Sequence, residues 1–113
     1  MKLIADLHLH SKFSRAVSRQ MTIPNLALWG EKKGIDILGT GDFTHPIWFK
    51  ELERDLVSAE PGLFKYKDSS TRFLLSVEIS QIYKNLDKVS KIHNIIFVPG
   101  FKEAKALIGR LEK

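Results

Sequence analysis

The sequence predicts an α/β chain with a parallel sheet core and one antiparallel hairpin. Three observations carry that reading. Apolar segments with strand character alternate with helical ones in the order β-α-β-α-β-β-α. Pro and Gly punctuate the boundaries. Polar clusters stand at the ends of the first two strands, where α/β folds collect their chemistry.

Lys2–Leu7 reads as a short strand that ends where the polar cluster begins. Ser11–Thr22 follows as a Ser/Arg/Lys-rich loop. Pro24 suits the first turn of a helix carrying Leu26, Ala27 and Trp29 and stopping at Gly34. Ile35–Gly39 is a compact apolar strand broken by Gly39-Thr40-Gly41-Asp42. Pro46 opens a second helix, with Phe49, Leu52 and Leu56 at i, i+3 and i+7. Glu60–Thr71 reads as a Pro/Gly/Lys/Ser loop. Arg72–Tyr83 is a long strand, Asn85-Leu86-Asp87 its turn, and Val89–Pro99 the returning strand. Lys102–Leu111 places Ala104, Leu107, Ile108 and Leu111 on one helical face.

Composition narrows the function classes. The 113 residues include 18 Lys and Arg, 13 Asp and Glu, four His and no Cys. A chain without cysteine has neither a disulfide framework nor a thiolate metal site, so a metal would need His, Asp or Glu. No apolar run approaches the roughly 18 residues of a membrane span, and the opening MKLIADLHLH lacks the long apolar core of a signal peptide. A cytoplasmic protein with no membrane partner is expected. Residues 1–57 carry a balance of +1 and residues 58–113 one of +4, a mild excess compatible with a phosphate-bearing partner.

Four positions or clusters carry chemistry. In Asp6-Leu7-His8-Leu9-His10, residues two apart share a face of an extended segment, so His8 and His10 point the same way with Asp6. Such a set can bind a borderline ion such as Zn²⁺; the plainer alternative is a pair of solvated histidines. In Gly39-Thr40-Gly41-Asp42-Phe43-Thr44-His45-Pro46, Asp42 and His45 offer a carboxylate and an imidazole. Alternatively, Asp42 is a turn residue and His45 the cap before Pro46. Glu78 sits in an apolar strand on the face of Leu74 and Ser76, and a buried carboxylate is costly unless it pairs or binds a cation; a solvent-facing Glu is the alternative. His93 stands at the head of Ile95–Val98, where a satisfied core histidine is the ordinary reading of a single case. All four histidines fall at strand ends or sheet positions, and together they point to a multi-metal site.

D-x-H-x-H, the Gly/Asp-rich second motif, a strand glutamate and a strand histidine together resemble the polymerase and histidinol phosphatase (PHP) superfamily of metal-dependent phosphoesterases. The strings Asp6–Ala16, Gly39–Pro46 and Leu75–Ser80 are similar to the N-terminal part of the endonuclease Q family, over essentially all 113 residues. The resemblance implies a distorted (β/α)₇ TIM-like barrel with two or three divalent ions at its mouth: Zn²⁺ first, Mn²⁺ or Mg²⁺ as alternatives. It also implies cleavage of the DNA backbone 5′ to deaminated bases (uracil, hypoxanthine, xanthine) and abasic sites in DNA repair. By motif position, His8 and His10 become first-motif ligands, Glu78 a bridging ligand and His93 a ligand of the second metal. Asp42 is favoured over His45 at the second motif. Ser14, Arg15 and Ser18 stand where most of the superfamily has a further histidine, which bears on a third metal. Lys12, Arg15 and Arg19 are candidates for phosphate contacts, and Phe13 or Phe43 for stacking on an extruded base.

No histidine follows His93, and Glu103 and Glu112 are the only later side-chain carboxylates, so the closing D-x-H motif of a complete PHP domain is missing. The expectation is that residues 1–113 form the N-terminal part of a PHP domain, an incomplete barrel, with the C-terminal part supplied in cis or as a separate chain. Alternatives are a non-catalytic remnant that binds metal or nucleic acid, and a small-molecule PHP phosphatase.

Overall fold

Apolar side chains from three helices close on the sheet of a mixed α/β fold. The computed structural model describes residues 2–13, 19–85 and 88–111. Its elements are β1 (Ala5–Asp6), α1 (Ile23–Lys33), β2 (Ile37–Gly39), α2 (Pro46–Asp55), β3 (Leu56–Glu60), β4 (Leu63–Tyr66), β5 (Arg72–Asn85), β6 (Lys88–Val98) and α3 (Phe101–Leu111). The six strands form one sheet of order β1-β2-β5-β4-β3, with β6 paired to β5. β1, β2 and β5 run parallel, with Asp6 opposite Leu38 and Gly39 opposite Leu74. The pairings β5–β4, β4–β3 and β5–β6 are antiparallel.

The helices form where the sequence predicts. Thr22 caps α1, its hydroxyl accepting from Asn25 N, and Pro24 sits in the first turn. Lys32 and Lys33 in the last turn complement the helix dipole. The buried residues Ile23, Leu26, Ala27 and Gly30 follow helical spacing. In α2 the buried face is Trp48, Phe49 and Leu52. α3 docks through Phe101, whose ring meets Phe49 and Phe64 edge-on at 5.6 and 5.1 Å.

Three expectations are corrected. The first strand shrinks to Ala5–Asp6, because only those residues have strand partners on β2. Leu56 does not continue α2; it opens β3 and is buried at the sheet. The stretch read as the loop Glu60–Thr71 contains β4, so among the described residues three consecutive antiparallel pairs, β3–β4, β4–β5 and β5–β6, replace the single expected hairpin. β4 lies between Pro61-Gly62 and Lys67-Asp68-Ser69, whose composition reads as loop.

β5 belongs to two structures at once. Arg72 and Phe73 sit between β2 and β4 and Leu74 pairs with β2, whereas Leu75–Asn85 pairs with β6 along an arm extending from the sheet. Most of β6 is exposed. The arm accounts for a radius of gyration of 15.1 Å, against about 13 Å for a compact chain of this length.

Candidate metal centre

The loop after β1 is seated on the loop after β2 by an absence of side chains. A Cβ at Gly39 would lie 2.6 Å from the Leu7 carbonyl oxygen, and one at Gly41 would overlap the Leu9 carbonyl. Gly41 also has φ +66° and Asp42 φ +48°, a left-handed pair that Gly and Asp tolerate best. Buried hydrogen bonds hold this turn against β5. Thr40 N donates to Leu74 O, Gly41 N to Ser76 Oγ at 2.9 Å, and Ser76 N to Thr40 Oγ1 at 3.1 Å. The Trp48 indole N–H donates to the Gly41 carbonyl at 2.9 Å, tying α2 to the same turn.

His8 and His10 are thereby brought to Glu78. His8 Nε2 lies 3.2 Å and His10 Nε2 3.0 Å from the same carboxylate oxygen, Oε2. One donor atom from each of His8, His10 and Glu78 falls within 4.8 Å of the others. The second oxygen, Oε1, faces His93 Nδ1 at 2.9 Å. Strand alternation sends Leu75 and Val77 to the core and Glu78 to the site, and β6 places His93 opposite Ser80. The Ser80 hydroxyl meets His93 Nδ1 at 2.8 Å. The Glu78 side chain is 17% exposed, His8 58% and His93 48%. The hydrogen bond with His8 holds the Glu78 carboxyl below its ordinary pKa; the charges of His8, His10 and His93 act in the same direction and desolvation opposes them.

Asp42 flanks the cluster. Its Oδ1 is 3.7 Å from His10 Nδ1, while its Oδ2 accepts from Ser11 N at 2.8 Å and Ser11 Oγ at 2.7 Å. His45 is used elsewhere. It is the N-cap of α2, its Nδ1 accepting from Trp48 N, and its ring stacks on Phe13 at 4.2 Å. Asp6 lines a separate cleft with Leu9, Met21 and Trp29.

The phosphate candidates are dispersed. Lys12 is committed to Glu51 at 2.7 Å, Arg19 is exposed, and Arg15 lies outside the described residues, as do Ser14 and Ser18. Phe43 is fully buried in the core and cannot stack on a base. The sequence reading missed Ser11, Ser76 and Ser80, which hold the chemistry-bearing residues in place. A lone serine has no spacing signal; only contact reveals it.

The donor set suits a divalent ion. Imidazole nitrogens and a two-faced carboxylate are borderline-to-hard ligands, and Glu78 presents one oxygen to each of two histidine groups. Among the described residues no helix is long and apolar enough to cross a membrane.

No family model matches the chain. It is 33% identical over 108 residues to an uncharacterized protein of Methanocaldococcus jannaschii, covering 96% of this chain and 11% of that protein. Its structure is similar to the lesion-specific endonuclease PfuEndoQ from Pyrococcus furiosus, with a TM-score of 0.80 and 27% identity over 97% of this chain and 25% of that one. It is also similar to endonuclease Q in complex with a 27-mer duplex carrying an abasic lesion at the active site, with a TM-score of 0.76 and 28% identity over 94% and 25%. The chain thus spans about a tenth of the curated relative it matches and a quarter of each solved structure, and its fold matches that fragment of a nuclease.

Proposed function

We propose that this chain is part of a metal-dependent endonuclease of the endonuclease Q type, a PHP-superfamily phosphoesterase that cuts the DNA backbone 5′ to deaminated bases and abasic sites. One observation carries the reading: Glu78 turns one oxygen to His8 and His10 and the other to His93, the arrangement required of a carboxylate shared between two cations. The likeness to a nuclease solved with a lesion-bearing duplex supports DNA as the substrate. The parallel strands β1, β2 and β5 are compatible with the opening portion of a TIM-like barrel, with the remainder supplied in cis or by a second chain.

His8, His10 and Glu78 would hold one ion, Zn²⁺ first and Mn²⁺ or Mg²⁺ as alternatives. Glu78 and His93, with Asp42 near His10, would contribute to a second. Bound there, divalent ions would supply Lewis-acid chemistry toward a phosphoryl oxygen and would lower the pKa of water. The chain's own part is positioning. Ser11 fixes the Asp42 carboxylate through two hydrogen bonds, leaving Oδ1 turned toward His10. Ser80 sets the orientation of the His93 ring. Glu78, kept ionised by its histidine neighbours, holds the two ligand groups together.

The test is bound-metal analysis followed by incision of duplexes carrying uracil, hypoxanthine or an abasic site, with the chain alone and joined to its C-terminal complement. Metal-dependent incision 5′ to the lesion, lost on chelation, is expected in the joined form. Incision that survives chelation would overturn the reading. The exposure of His8 and His93 favours a second reading, a non-catalytic metal- or nucleic-acid-binding remnant. Stoichiometric metal with no incision in either form would support it.

A further inference from the structure

The β5–β6 arm continues the face of the metal centre outward. Contacts among Glu78, Ser80 and His93 identify that face. Strand alternation and the pairings Ile82↔Lys91 and Lys84↔Val89 then place Ile82, Lys84, Val89 and Lys91 on the same side. All four are exposed, Ile82 at 68% and Val89 at 64%. Among the described residues, neither Lys84 nor Lys91 has an acidic partner, whereas Lys12 and Lys105 are each paired with a glutamate. Lys91 lies two residues from His93 and Lys84 four from Ser80.

Two residues of antiparallel strand advance about 7 Å, and four about 14 Å. Successive phosphates of one strand are separated by roughly 3.4 Å along a duplex axis. The two ammonium groups therefore stand about 7 and 14 Å outward from the cluster, with an apolar side chain across the ribbon from each.

We propose that the β5–β6 arm is a nucleic-acid guide, with Lys84 and Lys91 contacting backbone phosphates of a duplex whose cleaved linkage lies at Glu78 and His93. The inference rests on the endonuclease reading for the position of the cut, and on charge and register alone for the contact. It adds a duplex-tracking surface distinct from the loop after the first motif.

The experiment measures binding of a 27-mer abasic duplex by fluorescence anisotropy across salt concentrations, using the full protein and its K84Q/K91Q double variant. Each lost phosphate contact lowers the slope of log affinity against log salt by about 1. The double variant should therefore lose a slope of about 2 and bind several-fold more weakly at low salt, with its metal content equal to the parent's. The Lys-to-Arg double variant should restore the slope. An unchanged slope in K84Q/K91Q would overturn the proposal, as would arm amides protected without DNA as strongly as those of the core strands, since that would show protein packed on this face. A protein that binds with the expected slopes but never incises keeps the guide and loses the endonuclease reading. Incision with no slope change does the reverse.

Discussion

Replacing one hydrogen at Gly41 with a methyl group would drive it into the Leu9 carbonyl, at a φ that L residues avoid. The segment carrying His8 and His10 would have to lift. Gly41→Ala is expected to cost about 1–3 kcal/mol of stability and at least tenfold in metal affinity, read by thermal melts and titration calorimetry. The two second-motif candidates separate in the same way. His45→Ala removes a helix cap worth about 1 kcal/mol and should leave metal binding close to the parent's. Asp42→Asn should leave the fold intact and weaken metal binding; the reverse pattern would reassign the ligand to His45. Glu78 adds a pH dependence. Its carboxyl is held low in the folded chain, so its contribution is present above the ordinary glutamate value and lost as pH falls through the lowered one. The metal-free protein should lose Tm on that acid side, and Glu78→Gln should make the loss shallower. His8, His10, Glu78 and His93 were singled out in the sequence and the fold brings their side chains together, although His8 and His10 lie beyond β1 and Asp6, expected beside them, lines a separate cleft. Ser11 and Ser80 were not, since their roles depend on partners 31 and 13 residues away.

Among the elements, α2 joins β5 in fixing the second-motif turn. Trp48 is buried, and its indole N–H reaches the carbonyl of Gly41. Trp48→Phe keeps much of the apolar contact and removes that donor. The expected loss is about 1–3 kcal/mol from the carbonyl left without its partner, with a parallel drop in metal affinity. A stability loss without any change in metal binding would show that the turn is held by Ser76 and Thr40 alone. The helices were legible from their caps, prolines and apolar spacing. The β3–β4 hairpin was not. Its strands are five and four residues long, and Leu56 satisfied the helical period as well as the strand. Pairing of Leu56 with Tyr66 on β4 decided between them, a tertiary fact that the local period does not contain.

At the scale of the whole molecule, the sheet root and the arm differ in how they are held. Ile37–Gly39 lies between two neighbouring strands and under buried side chains. The arm is a two-stranded ribbon exposed along β6, and such ribbons are marginal by themselves. In the absence of DNA, hydrogen exchange should therefore be faster at Ile82–Lys84 and Val89–Ile92 than at Ile37–Gly39, by orders of magnitude. Comparable rates would mean that the arm is supported from outside the described residues. The topology itself was legible only in part: the parallel order of β1, β2 and β5 follows from their helical crossovers, but the extent of the arm does not.

Ser76 is anchored through its N–H, its hydroxyl and its carbonyl, all to the turn at residues 40–43. It acts as a fulcrum for everything beyond it on β5. Glu78 lies two residues out, roughly 7 Å, and Lys84 eight residues out, roughly 27 Å. A swing of about 2 Å at Lys84 then reaches Glu78 as only about 0.5 Å. The long end of this lever can follow an irregular or bent partner while the short end stays within ligand-bonding tolerance, so compliance and precision coexist on one strand.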